Sequence, residues 1–295
     1  MKKAVFLSLL PAIALGTSIP AHAWFPQGHS IVAAAAVKSL PEDVPAWFRE
    51  DKGQVAHDAQ DPDVQKNRDL PFMSDAEGPQ HYFDTELLQG RPLPTKHADF
   101  LKLCQELKVD PSDVGEVPYA LAEWTQRLTM DFAEARRYPN NPYIRNKTLV
   151  TAGILSHYAG DVCMPLHVTL NHDGMARPDG TSPRSGIHAK VDSLIERLDL
   201  KPEALAKDQK IESFPDLFAA VQAQMKNSQG LVAKVYELEP QLPATTTGAY
   251  TPSAEITTFT NERARTAAKF TASLFLTAWR DSAKIKLPTW LKREE

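Results

Sequence analysis

Residues 147–163 read KTLVTAGILSHYAGDVC and run on into Met164-Pro165-Leu166-His167. Apolar residues recur here at helical rather than alternating spacing, and Pro165 ends the run because it lacks the backbone donor a helix needs. His157 and Asp161 stand four apart in it, so a helix carries both side chains on one face, a turn apart. The same spacing returns at His188 and Asp192, and His167 falls between the two pairs on a segment redirected by Pro165. A lone His/Asp pair of this kind is commonly a solvated helix pair. Two pairs bracketing a further histidine offer imidazole and carboxylate without thiolate, a donor set that suits zinc in a hydrolytic site.

Outward from this stretch the pattern stays helical. Helices are predicted over 29–40, 45–57, 98–108, 119–137, 147–163, 188–198, 216–238 and 253–281, the last with Ala267, Phe270, Leu274 and Ala278 on one face. Few stretches alternate as strands do, and no internal repeat or low-complexity tract is evident. The fold class expected is therefore all-α, a single mainly helical domain over residues 24–295. Two irregular segments interrupt it: 59–80, rich in Asp and Pro, and 168–187, rich in Gly, Pro and Asp. Long loops in compact domains are often functional, and both lie beside histidines.

The chain opens with Lys2 and Lys3, an apolar run from Ala4 to Leu15, and Ala21-His22-Ala23, the layout of a cleavable signal peptide over residues 1–23. This predicts an exported protein, periplasmic or secreted, whose mature chain begins at Trp24. No segment reaches the roughly 20 apolar residues of a membrane span. An α-amine titrates near 7.7 to 8.0, so an N-terminus at Trp24 could give a metal an unprotonated nitrogen. Removing Lys2 and Lys3 takes 33 basic residues to 31 against 37 acidic ones. A mildly acidic protein has no broad electrostatic hold on nucleic acid or anionic lipid, so any phosphate binding has to be local. Cys104 and Cys163 read equally as one disulfide or as two buried thiols.

Taken together, Trp24-x-x-x-Gly28-His29, His81-Tyr82-Phe83-Asp84 after an acidic loop, His157-x-x-x-Asp161-x-x-x-x-x-His167 and Gly186-x-His188-x-x-x-Asp192 resemble a known superfamily. It joins the zinc-dependent phospholipases C with the single-strand-specific nucleases of the S-one/P-one type, and its fold is all-α. The resemblance implies three zinc ions per chain. One would be held by a loop aspartate, His81, His157 and Asp161; a second by the Trp24 amine and carbonyl, His29 and Asp161; a third by His167, His188 and Asp192. Asp161 would bridge two of them. A bridged pair of zincs generates hydroxide at neutral pH and aims it at phosphorus, while a third ion stabilises the leaving oxygen.

Asp58, Asp61 and Asp63 all precede His81, and Asp63 is taken as the loop ligand because it follows Pro62 and has Lys66 three residues on, where nuclease relatives place a phosphate-contacting Arg. Asp63 and Asp161 are thus the expected catalytic carboxylates. Lys66 would act as a point charge on phosphate, and Tyr82 would bind substrate by stacking or serve as core. The short step from Trp24 to His29 and the presence of Asp192 resemble the nucleases. The absence of their Asp-x-Gly-Gly-Asn loop between His167 and His188, Met164 in place of a common Gln, and Gly186-Ile187-His188 resemble the phospholipases. The sequence reading places a nuclease or 3′-nucleotidase acting on single-stranded nucleic acid or nucleotides first, and a phospholipase C acting on phospholipid head groups as the alternative. A non-catalytic zinc-binding helical protein ranks below both, and no obligate protein partner is evident.

Overall fold

The computed structural model describes residues 25–293. Among them the helices are α1 (Pro26–Lys38), α2 (Ala46–Glu50), α3 (Lys52–Asp58), α4 (Asp61–Gln65), α5 (Pro71–Glu77), α6 (His97–Leu107), α7 (Pro111–Val114), α8 (Val117–Arg137), α9 (Pro142–Asp161), α10 (Ile187–Asp192), α11 (Leu194–Arg197), α12 (Pro202–Ala206), α13 (Leu217–Gln229), α14 (Val232–Leu238) and α15 (Ala254–Ser282). No β-strand occurs among the described residues, so the fold is all-α. None of these helices is long and apolar enough to cross a membrane. The segment 1–23 and Trp24 lie outside the described residues.

The helix that carries His157 and Asp161 is the axis of the molecule. Asn141 caps it, its side chain accepting from the Tyr143 and Ile144 amides, and Pro142 sits at its first position, where a missing N–H costs nothing. Every residue from 155 to 169 is buried. The second half of α9 is therefore surrounded, and the helix packs against α1, α3, α8 and α15. Ser156, His157 and Asp161 in that half are consequently buried in the interior.

Gly153 controls how α3 meets α9. A Cβ there would lie 2.5 Å from the Cβ of Asp58, so only glycine admits the approach. That contact brings the end of α3 over the next turn of α9, where the Ala59 carbonyl reaches Nδ1 of His157 at 2.8 Å. Ser30 on α1 locks the same corner, donating to the Ala56 carbonyl and accepting from Gln60.

Several predicted boundaries shift. The helix expected over 45–57 breaks at Asp51, whose side chain accepts from the Gln54 amide and starts α3 afresh. The one expected over 188–198 breaks at Ser193, which turns its hydroxyl back onto the Lys190 carbonyl. The 59–80 segment, expected to be irregular, contains α4 and α5, each with proline in its first turn. There proline pre-sets φ instead of breaking the helix. Cys104 and Cys163 are both free, buried thiols.

Candidate metal centre

Four elements deliver side chains to one buried point. α1 carries His29, α4 carries Asp63, the 3-10 turn Gly78–His81 carries His81, and α9 carries His157 and Asp161. The two oxygens of Asp161 face different partners. Oδ1 lies 3.4 Å from Nε2 of His29, while Oδ2 lies 3.0 Å from Nδ1 of His81 and 3.5 Å from Nε2 of His157. Asp63 Oδ1 stands 3.8 Å from His157 Nε2, and the His29 and His157 rings stack at 3.8 Å. Ligand-capable atoms of His29, His157 and Asp161, and those of Asp63, His81 and His157, fall within 4.8 Å of one another in two groups. The groups share His157, whereas the resemblance in the sequence implied Asp161 as the shared position.

A third group of the same tightness joins His167, His188 and Asp192. Pro165 opens the 3-10 turn Pro165–His167 and turns His167 away from the axis of α9. Its Nδ1 donates to the His81 carbonyl at 2.7 Å, and Nδ1 of His188 donates to the His172 carbonyl at 3.2 Å. Their Nε2 atoms then meet at 2.9 Å, with Asp192 Oδ2 3.1 Å from His188 Nε2. The loop before His188 is held by Asp173, whose carboxylate accepts from the Gly186 and His188 amides. Phe25 docks beside this group, its amide donating to the Asp192 carbonyl.

The donor set fits a divalent cation. A neutral imidazole has one N–H, and a carbonyl can only accept, so His157, His167 and His188 each spend that proton on a backbone oxygen and turn a lone pair inward. Burial pushes His81 and His167 well below the usual histidine range, with Lys66 and His157 adding to it at His81 and His188 at His167. Burial also pulls on His188, but the charge and hydrogen bond of Asp192 outweigh it and leave that ring raised. Desolvation, followed by the charge of Asp63, holds Asp161 well above the carboxylate range. Among the described residues no hydrogen-bond donor satisfies Asp161 Oδ1. Inward lone pairs beside a carboxylate, Asp161, that resists ionisation are what a bound cation relieves.

Of the three candidate loop aspartates, Asp63 is the one grouped with His81 and His157. Asp58 accepts from Gln54, and Asp61 opens α4 half-buried. Lys66 pairs with Asp63 at 2.6 Å. Tyr82 is half-buried, and its hydroxyl donates to the Ser112 carbonyl in α7, with burial pushing it up to about 12. Gly115, at φ +92°, makes room for this wall, since a Cβ there would meet the Tyr82 carbonyl at 2.1 Å. Two residues escaped the sequence reading: Glu77 and Tyr158, both buried against His81. Their signal was present in Glu77 standing four residues before His81 and Tyr158 following His157.

No protein-family model and no curated protein matches the chain. Among solved structures it is similar to the alpha-toxin of Clostridium absonum, with 14% identity and a TM-score of 0.49 over 87% of this chain and 64% of that one. It is also similar to the alpha-toxin of an avian Clostridium perfringens strain, with 14% identity and a TM-score of 0.45 over 88% and 65%. The chain spans just under two thirds of the length of either toxin.

Proposed function

We propose that this chain is a zinc-dependent hydrolase of phosphoric diesters. The observation that carries the reading is the division of Asp161, one oxygen toward His29 and the other toward His81 and His157, with the His167/His188/Asp192 group close by in sequence and fold. His29 and Asp161, with Trp24, would hold one ion; Asp63, His81, His157 and Asp161 a second; His167, His188 and Asp192 a third. Zinc in such a setting supplies a nucleophile at neutral pH and neutralises charge developing on a phosphoryl group. The residues do the rest. The backbone carbonyls of Ala59, His81 and His172 fix the ring orientations of His157, His167 and His188. Lys66, at the edge of the group on Asp63, offers a point charge to phosphate oxygens.

Phospholipid is the favoured substrate class, which reverses the order read from the sequence. Val64, next to Asp63, is 67% exposed, and Leu70 and Phe72 on the following turn are 55% and 95% exposed. Apolar side chains presented this way suit insertion into a lipid interface. The Tyr82 hydroxyl, meanwhile, is committed to Ser112. A nucleotide substrate remains the second reading, favoured by Lys66 in the position where nuclease relatives carry a phosphate-binding Arg.

The test is a panel on the zinc-loaded protein: bis-p-nitrophenyl phosphate, phosphatidylcholine vesicles, single-stranded DNA and RNA, and 3′-nucleotides. Turnover of the first two, abolished by chelator and restored by zinc, is expected. Cleavage of nucleic acid alone would select the second reading. No turnover of any substrate would leave a zinc-binding protein without catalysis.

A further inference from the structure

The Glu77 carboxylate is buried four residues before His81, one helical turn up the chain. Its Oε1 lies 3.2 Å from Nε2 of His81 and accepts the Tyr158 hydroxyl at 2.5 Å. Tyr158 is fully buried, and its ring stands edge-on to His81 with centroids 5.5 Å apart. Glu77 therefore touches the outer nitrogen of His81, while the inner nitrogen, Nδ1, faces Asp161 Oδ2 and His157 Nε2, each at 3.0 Å. Carbonyl oxygens fix the outer nitrogens of His157, His167 and His188. His81 differs in having a carboxylate there, itself tied down by a second side chain.

We propose that Glu77 and Tyr158 are positioning residues that hold His81 as the Nε2–H tautomer, so that Nδ1 presents a lone pair to a zinc ion shared with His157, Asp63 and Asp161. The inference rests on the metal part of the proposed function, though not on its chemistry. Glu77 accepts the Nε2–H, and the carboxylate raises the basicity of Nδ1 as an outer-shell carboxylate does for a metal-bound histidine. The Tyr158 hydroxyl and ring stop Glu77 and His81 from turning away. Glu77 meets the ring at Nε2, while Asp161 Oδ2 and His157 Nε2 meet it at Nδ1, which sets Glu77 apart from a ligand.

The experiment is zinc titration of the purified full chain against a chromogenic chelator, with total zinc measured in parallel, for the wild type, Glu77→Gln, Glu77→Ala and Tyr158→Phe. Loss of outer-shell partners typically costs about 10- to 100-fold in metal affinity. Glu77→Ala is expected to weaken one zinc by that range and leave the affinities of the others unchanged. Glu77→Gln keeps an acceptor oxygen and should recover part of the loss; Tyr158→Phe should show a smaller one. Imidazole 15N spectra of the zinc-loaded wild type should show His81 protonated at Nε2, a signal that a merely structural role for Glu77 would not require. Wild-type zinc affinity in Glu77→Gln and Tyr158→Phe, or a proton on Nδ1 of His81, overturns the proposal even if Glu77→Ala fails to fold. A wild type that binds zinc as described yet hydrolyses nothing would sink the proposed function and leave this inference standing.

Discussion

Nε2 of His167 and Nε2 of His188 face each other at 2.9 Å, although each ring has already given its proton to a carbonyl oxygen through Nδ1. Two opposed lone pairs at that distance need a cation or proton between them, and Asp192 stands beside His188 to share it. His188→Ala is accordingly expected to lower bound zinc by about one ion per chain after dialysis, since it leaves this group two protein donors where zinc sites hold three or four. Metal analysis of the dialysed protein decides it. Unchanged zinc content would mean that this group is held together by a proton alone.

Asp161→Asn should act on two ions rather than one. Its two oxygens face His29 on one side and His81 with His157 on the other. The expected outcome is loss of more than one zinc per chain and a larger fall in turnover than for any other single substitution in the centre. Near-normal zinc and turnover would remove the shared carboxylate from the scheme.

What the sequence disclosed follows from the range of the interactions involved. His157 with Asp161 and His188 with Asp192 were legible because helical periodicity alone brings residues four apart together. The roles of Ala59, His81 and His172 as carbonyl acceptors were not, because each meets a histidine far along the chain or across a loop whose path the pattern does not fix. Glu77 was legible in principle at four residues from His81, but it lies in a stretch whose prolines read as irregular, and its partner Tyr158 comes from a helix 81 residues away. The breaks at Asp51 and Ser193 were missed because a side chain of either type caps or bends a helix only when its rotamer turns back onto the backbone.

Gly153 offers a test of how packing sets the centre. Replacing it with Val places branched carbons against Asp58, whose Cβ lies only 2.5 Å from where the first side-chain carbon at 153 would sit. Overpacking of this kind typically costs about 1–3 kcal/mol, and it should push α3 and its Ala59 carbonyl away from His157. Urea unfolding of the chelated variant should show the loss, with weaker zinc retention in the loaded form. Full stability would mean that α3 yields without consequence.

Phe72 and Leu70 separate the two substrate classes. Both are exposed beside the Asp63 segment, so Phe72→Ser with Leu70→Ser should leave hydrolysis of a soluble nitrophenyl diester unchanged and slow turnover of phosphatidylcholine vesicles several-fold, as loss of buried apolar area weakens interfacial binding. Equal slowing on both substrates would place these side chains in the centre itself rather than at a lipid surface.

The stability effect of Asp161→Asn should change sign with zinc. In the chelated protein the Asp161 carboxyl is raised by desolvation and by Asp63, so the native state binds its proton more tightly than the unfolded chain does. Stability from this group is fully present below the unfolded value near 3.9 and is lost as pH rises through the native value, at about 1.4 kcal/mol for each tenfold difference in proton affinity between the two states. Asparagine never ionises, and its amide can donate to the inward lone pairs. Chelated Asp161→Asn should therefore melt higher than chelated wild type at neutral pH, with the advantage shrinking as pH falls toward 4. His81 and His167, both lowered, weaken the native state below about 6.5, and because His81 touches Asp161 its share need not be equal in the two proteins, so the sign of the difference is read above that pH. With zinc present the order should invert, because saturating metal at about 100 times its dissociation constant stabilises the wild type by about 2.7 kcal/mol per site and the variant has lost a shared ligand. Paired melting curves with chelator and with zinc, taken between pH 5 and 8, give the answer. A variant less stable than wild type in both conditions would show that Asp161 is not held against its charge, and that no cation is needed to keep it in the core.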